Sequence, residues 1–135
     1  MGDNMKKRTK IILITIVSLI IILVASGFII VKSLSKNLDT YQDFDFSGVD
    51  LSTIEDGTYI GSEDATIVKA TVEVTVKDHV ITNVKILAHE CGQGKPAEVI
   101  VNDMVKNNSI NVDAISGATY SSNIIKAAAY NALTK

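Results

Sequence analysis

The residues best suited to chemistry lie together in one short stretch near the C-terminus, DAISGATYSS, from Asp113 to Ser122. The small residues Gly117 and Ala118 allow a ligand to approach the backbone closely. Four side chains in the stretch carry hydroxyl groups that can donate hydrogen bonds to phosphate oxygens. They are Ser116, Thr119, Ser121 and Ser122.

This stretch runs into a predicted helix that ends at Leu133, with Ser121 or Ser122 as its N-cap. The free N–H groups and the positive dipole end of a helix favour an anion such as phosphate. The residues alone therefore leave two interpretations open. One is a phosphate site, and the other is an ordinary capped helix that follows a tight turn.

The pattern Asp-x-x-Ser-Gly-Ala-Thr, here Asp113 to Thr119, resembles the covalent flavin attachment motif of the FMN-binding domain family. That family includes flavin-carrying subunits of the sodium-translocating NADH:quinone reductase and of ion-translocating ferredoxin oxidoreductases. It also includes small anchored proteins of extracellular electron transfer. In the family, a flavin transferase uses FAD to attach FMN through a phosphoester bond to the closing threonine. The resemblance thus implies a covalent FMN on Thr119.

The likeness extends from about Gly57 to Leu133. The segment DGTYIG around Gly57 is similar to the opening strand of the family, and KDHVI from Lys77 is similar to its hairpin. His79 stands where the family usually has a turn glycine. ECGQG from Glu90 replaces its usual Thr-Pro-Gly stretch. These departures leave the attachment motif intact and affect the loops that would cover the flavin ring.

The resemblance also implies roles for the neighbours of Thr119. Ser116, Gly117 and Ala118 would contact the phosphate or set the turn. Asp113 would be recognised by the transferase or hold the loop, unless it forms an ordinary Asx turn. Ser121 and Ser122 would cap the helix, contact the phosphate, or both.

Two residues of the preceding loop each allow two interpretations. His89 would lie against the flavin and stabilise its reduced anionic form, or it is a surface histidine. Cys91, the single cysteine of the chain, is an incidental residue or a redox thiol. We predict no metal site and no catalytic residue.

The apolar pattern predicts an α+β domain, with a small antiparallel sheet followed by two helices. Alternation over Ile67–Val76 and over Val80–Leu87 indicates a hairpin, with Val80, Thr82, Val84 and Ile86 expected on one face. A first short strand follows Gly57. Pro96 begins a helix that ends at Asn107 and Asn108.

One N-terminal segment is long and apolar enough to cross a bilayer. Residues Ile11 to Val31 carry no charge and would form a helix of about 31 Å. The basic cluster before the segment outweighs the two lysines after it, so the positive-inside rule places the N-terminus in the cytoplasm. The alternative is a cleaved signal peptide, for which Ala25-Ser26-Gly27 is a weak cleavage site.

Beyond Val31 the chain carries nine lysines and fourteen acidic residues, and this acidic balance argues against a nucleic-acid partner. We therefore predict a basic cytoplasmic tail (1–10), a transmembrane helix (11–31), an acidic linker (32–56) and an extracytoplasmic FMN-binding domain (57–135). The predicted function is a membrane-anchored electron carrier whose partners are a flavin transferase and membrane or extracellular redox proteins. It would lack a complete active site of its own. The alternative is a non-covalent ligand- or protein-binding module tethered to the outer face of the membrane.

Overall fold

A computed structural model describes the backbone of residues 2–135 and the side chains of residues 7–32 and 40–135. The side chains before Lys7 and those of residues 33–39, including parts of the predicted tail and linker, lie outside the described residues. The chain divides into two compact units, one up to Asn37 and one from Leu38 to Lys135.

Helix α1 runs from Gly2 to Gln42. Its segment Lys7–Lys32 has a mean hydropathy of 3.0, and none of its most apolar window is buried against protein. A helix of this length and composition could span a membrane, because the backbone polar groups of the apolar segment are bonded within the helix.

Three antiparallel strands form one sheet in the order β1-β2-β3. They are β1 (Gly57–Asp64), β2 (Lys69–Lys77) and β3 (Val80–Glu90). Every second residue of β2 is buried, as the alternation of valine with polar residues predicts. The predicted hairpin is thus present, and the α+β class is confirmed.

The faces of β3 differ from the prediction because the β2–β3 register shifts twice. Val76 pairs with Ile81 and Thr75 pairs with Asn83, so Thr82 is an extra residue in the ladder. Ile81 and Val84 are consequently buried, whereas Val80 and Thr82 are exposed. The prediction that Val80 and Thr82 share the face of Val84 is therefore wrong.

Two residues with positive φ close the hairpin, Asp78 at 53° and His79 at 62°. Positive φ at both central residues is typical of a type I′ turn, which matches the twist of the flanking strands. The backbone N–H of Asp78 donates to Asp56 at 2.7 Å, and His79 Nδ1 lies 3.1 Å from the carbonyl of Leu51. These contacts support the turn without a glycine.

Two α-helices follow the sheet. A short 3-10 helix, Lys95–Val99, leads into α2 (Ile100–Asn107), which ends at Asn108 in a left-handed conformation. Helix α3 (Thr119–Leu133) packs on β1 and β2. The packing is so close that a Cβ at Gly61 would overlap the backbone of Ala128 and Ala132.

Part of the predicted acidic linker packs into the core of the second unit. Phe46 is 1% exposed, and its ring lies beside those of Phe44 and Tyr130. Asp45 and Asp50 accept hydrogen bonds from Ser47 and Ser52 and so cap two short 3-10 helices, Phe46–Gly48 and Leu51–Thr53. These two acidic residues of the predicted linker therefore begin local helical structure.

Candidate functional site

The attachment motif forms a tight turn before α3. The N–H of Ala118 donates to the carbonyl of Ile115 at 2.9 Å, and Gly117 between them has a φ of 78°. A positive φ at the third residue is typical of a type II turn and favours glycine. Ser116 and Gly117 are exposed at the tip, so the sequence builds a small protruding loop.

Ser122 holds this loop from inside. Its hydroxyl accepts a hydrogen bond from the N–H of Ile115 at 3.0 Å and donates one to the carbonyl of Ala118 at 2.9 Å. The prediction that Ser121 or Ser122 caps α3 is therefore wrong, since the helix begins at Thr119 and both serines are buried inside it. Ser122 shapes the turn and does not face solvent.

Thr119 occupies the first position of α3 and is exposed. The preceding residue, Ala118, makes no capping bond with its side chain. The first N–H groups of a helix have no intrahelical acceptor, and the dipole places partial positive charge there. A phosphate carried on Thr119 would thus meet free donors and a favourable field.

Tyr120 ties the start of α3 to the sheet, which was not anticipated from the sequence. Its hydroxyl donates to the carbonyl of Ala65, in the β1–β2 connection, at 3.2 Å. Burial raises the pKa of this phenol. The Tyr120 side chain is therefore held by a hydrogen bond to the sheet connection, whereas its neighbour Thr119 is exposed.

A buried lysine lies further along α3. Lys126 is 7% exposed, and its Nζ lies 4.7 Å from the centroid of the Phe46 ring. Burial lowers the pKa of its ammonium group, and the negative charge of Asp113 partly opposes that shift.

His89 lies near the end of β3, and its side chain is 1% exposed. Its Nδ1 is 3.1 Å from Oε1 of Glu98, whereas its buried Nε2 has no hydrogen-bond partner among the described residues. A buried polar atom without a partner is costly, so a further polar contact to this nitrogen would be favourable. Glu98 gave no signal in the sequence, because its pairing depends on the 3-10 helix that carries it.

The loop after His89 lies beside the motif. Gly94 packs on Ser121 so closely that a Cβ at position 94 would overlap the serine side chain. The loop and the motif therefore meet at the N-terminal end of α3. The predicted site residues in the motif are Asp113, Ser116, Gly117, Ala118, Thr119, Ser121 and Ser122. The structure shows no hydrogen bond between His89 and Thr119 among the residues that it describes.

A separate cleft of about 280 Å³ lies away from the motif. It is lined by Tyr41, Phe44, Glu63, Ala127, Tyr130 and Asn131. No motif residue lines this cleft.

Two features of the motif fit an FMN phosphate: the exposed residue Thr119 with its hydroxyl group, and a helix N-terminus without a side-chain cap. The profile of the FMN-binding domain family matches residues 68–134. No curated protein matches the chain. The match begins within the β1–β2 connection and includes the hairpin, both following helices and the whole motif. Residues 68–134 of this chain therefore belong to the FMN-binding domain family and have a flavin-binding function.

Proposed function

We propose that the chain is a membrane-anchored extracytoplasmic flavoprotein that carries FMN covalently on Thr119 and relays electrons. The observation that carries the proposal is the placement of Thr119. It closes the attachment motif of an FMN-binding domain, and it stands exposed at the first position of an uncapped helix.

The attachment would be a phosphoryl transfer without redox change. A flavin transferase would break the pyrophosphate bond of FAD, and Oγ1 of Thr119 would form a new bond to the phosphorus of the FMN half. AMP leaves, and the hydroxyl proton is released. Thr119 has no base hydrogen-bonded to it among the described residues, so the transferase would supply the activation.

After attachment, the chain's own residues would hold the phosphate. The N–H groups of the first turn of α3 would donate to phosphate oxygens, and Ser116 at the tip of the turn is exposed for a further hydrogen bond. His89, near the end of β3, would lie against the flavin and stabilise its reduced anionic form. The flavin supplies the redox chemistry, and the protein supplies position and electrostatics.

The anchor makes covalent attachment useful. A domain outside the cell loses a dissociable cofactor to the medium, whereas a phosphoester keeps it in place. Helix α1 would hold the domain at the membrane, with the basic N-terminal tail in the cytoplasm. Membrane or extracellular redox proteins would then be its electron donors and acceptors.

The decisive experiment is intact mass after co-expression of the full chain with a flavin transferase. We expect a gain of one FMN less one water in the wild type and in Thr134→Ala. That threonine is exposed near the opposite end of the same helix. Thr119→Ala should gain nothing. An unmodified wild type would refute the covalent carrier and leave a non-covalent binding module.

Orientation has its own test. On a Cys91→Ser background, Lys135→Cys should react with a membrane-impermeant maleimide in intact cells, and Asp3→Cys should react only after lysis. If Asp3→Cys reacted in intact cells and Lys135→Cys reacted only after lysis, the flavin domain would lie in the cytoplasm. That result would refute an extracytoplasmic electron carrier.

A further inference from the structure

Three side chains of different donor types converge beside the flavin motif. One ligand atom each from His89, Cys91 and Glu98 lies within 4.8 Å of the other two. They supply a nitrogen, a sulfur and a carboxylate oxygen. Zn²⁺ takes these three donors, and catalytic or accessible zinc sites commonly have three protein ligands and one open position.

The local chain geometry explains why they meet. His89 lies near the end of β3, and Cys91 directly follows the last residue of that strand. A turn then reverses the chain, with the N–H of Gly94 donating to the carbonyl of Cys91 at 2.7 Å. The 3-10 helix that follows brings Glu98 back onto His89.

The state of the imidazole points to a missing ligand. The His89 side chain is 1% exposed, and only one ring nitrogen has a partner. Leaving the other nitrogen buried and unpaired destabilises the folded protein. The ring therefore has one nitrogen for which a bound group would supply the missing partner.

We propose that His89, Cys91 and Glu98 bind one Zn²⁺ ion. The Cys91 thiol loses its proton on binding, so thiolate and carboxylate together balance the charge of the metal, and the imidazole binds in its neutral form. Zinc bonds of about 2.0–2.3 Å place tetrahedral ligand atoms about 3.3–3.8 Å apart. The present separations reach that range with rotamer shifts on the order of 1 Å.

This proposal does not depend on the flavin. The test uses the full chain in detergent, produced without a flavin transferase, kept reduced and purified without a histidine tag. Co²⁺ serves as the spectroscopic probe, and Zn²⁺ is then titrated to displace it. The wild type should show a thiolate-to-cobalt charge-transfer band that Zn²⁺ removes at one equivalent.

Single substitutions test each ligand. Cys91→Ser should abolish the charge-transfer band, and His89→Gln and Glu98→Gln should each weaken Zn²⁺ binding more than about tenfold, which is at least the loss typical of outer-shell changes. His79→Gln is the matched control, because His79 is the only other histidine and is exposed in the hairpin turn. It should bind like the wild type.

Either of two results would overturn the site. One is a wild type that binds neither metal at millimolar concentration, and the other is a Cys91→Ser variant with the wild-type cobalt spectrum. Should the buried His89→Gln variant fail to fold, the half-exposed Glu98→Gln decides the question, with circular dichroism as the folding check. Flavin attachment measured on the same chain can succeed or fail without changing this outcome.

Discussion

The hydroxyl of Ser122 accepts a hydrogen bond from the backbone N–H of Ile115 at 3.0 Å, across the turn that carries the flavin motif. The same oxygen donates to the carbonyl of Ala118. One buried hydroxyl thus fixes both ends of the turn. The exposed residues at its tip, Ser116 and Gly117, need no contacts of their own to keep its shape.

Replacing Ser122 with alanine should leave the Ile115 N–H unpaired. The expected loss is about 1–3 kcal/mol in the free energy of unfolding, together with a lower yield of flavin attachment. Chemical denaturation followed by tyrosine absorbance measures the first, since all four tyrosines lie after residue 38. Ser62→Ala, at an exposed strand position, is the control. Equal stability of the two variants would contradict the role of Ser122.

Gly117→Ala tests whether the turn needs a positive φ at position 117, because the new methyl group adds no steric contact. A Cβ there meets no atom within 4 Å, but the φ of 78° disfavours any L side chain by about 1–2 kcal/mol. Gly92→Ala is a matched control, with a φ of 52° and equally open space. Both variants should lose similar stability, while only Gly117→Ala should lose flavin attachment by intact mass. Loss of attachment in both would mean that global stability, and not the turn, controls the yield.

Gly61→Ala should separate β1 from α3. The new methyl group would overlap the backbone of Ala128 and Ala132, so we expect a loss of about 3 kcal/mol or more in the free energy of unfolding. At Gly57, the first residue of the same strand, a Cβ would meet the Tyr59 ring at an ordinary 3.6 Å. Gly57→Ala should therefore cost far less, and comparable losses would disprove the close packing.

Deprotonation of Tyr41 should make the second unit less stable at high pH. Burial raises the pKa of Tyr41 to about 12, and its hydrogen bond to Glu63 at 2.8 Å adds to the shift. Above pH 10 the unfolded chain releases this proton while the folded chain keeps it, so the stabilisation is complete below pH 10 and is lost between about pH 10 and 12. Tyr41→Phe should flatten that part of the denaturation profile, and Glu63→Gln should shift it. An unchanged slope in Tyr41→Phe would exclude this linkage.

The strands and helices could be predicted from local patterns because those patterns act over a few residues. Alternating valines fix β2, and Pro96 and Asn108 mark the limits of the helical segment before the motif. The two register shifts in β3 could not be predicted, since they follow from pairing with β2. The packing of Phe46 on α3 joins residues far apart in the chain, and the surrounding acidic residues concealed it.

In the candidate site, too, local features could be predicted and long-range contacts could not. The motif from Asp113 to Thr119 is contiguous in the sequence, so Thr119 could be predicted as a site residue. Its modification stays a prediction. The burial of Ser121 and Ser122 was not predicted, because an N-cap and a first-turn residue differ by only a few positions. The pairing of His89 with Glu98 depends on a turn at Cys91–Gly94 that no pattern specified.

If Thr119 carries the proposed flavin, the turn held by Ser122 also determines whether folding or attachment comes first. Its shape exists only when α3 is packed on the sheet, because the serine that holds it is buried there. An unfolded chain would have to order that backbone at about 1–2 kcal/mol per residue before a transferase could use Thr119. Folding would therefore come before labelling, and the flavin content of a preparation would count its correctly folded molecules.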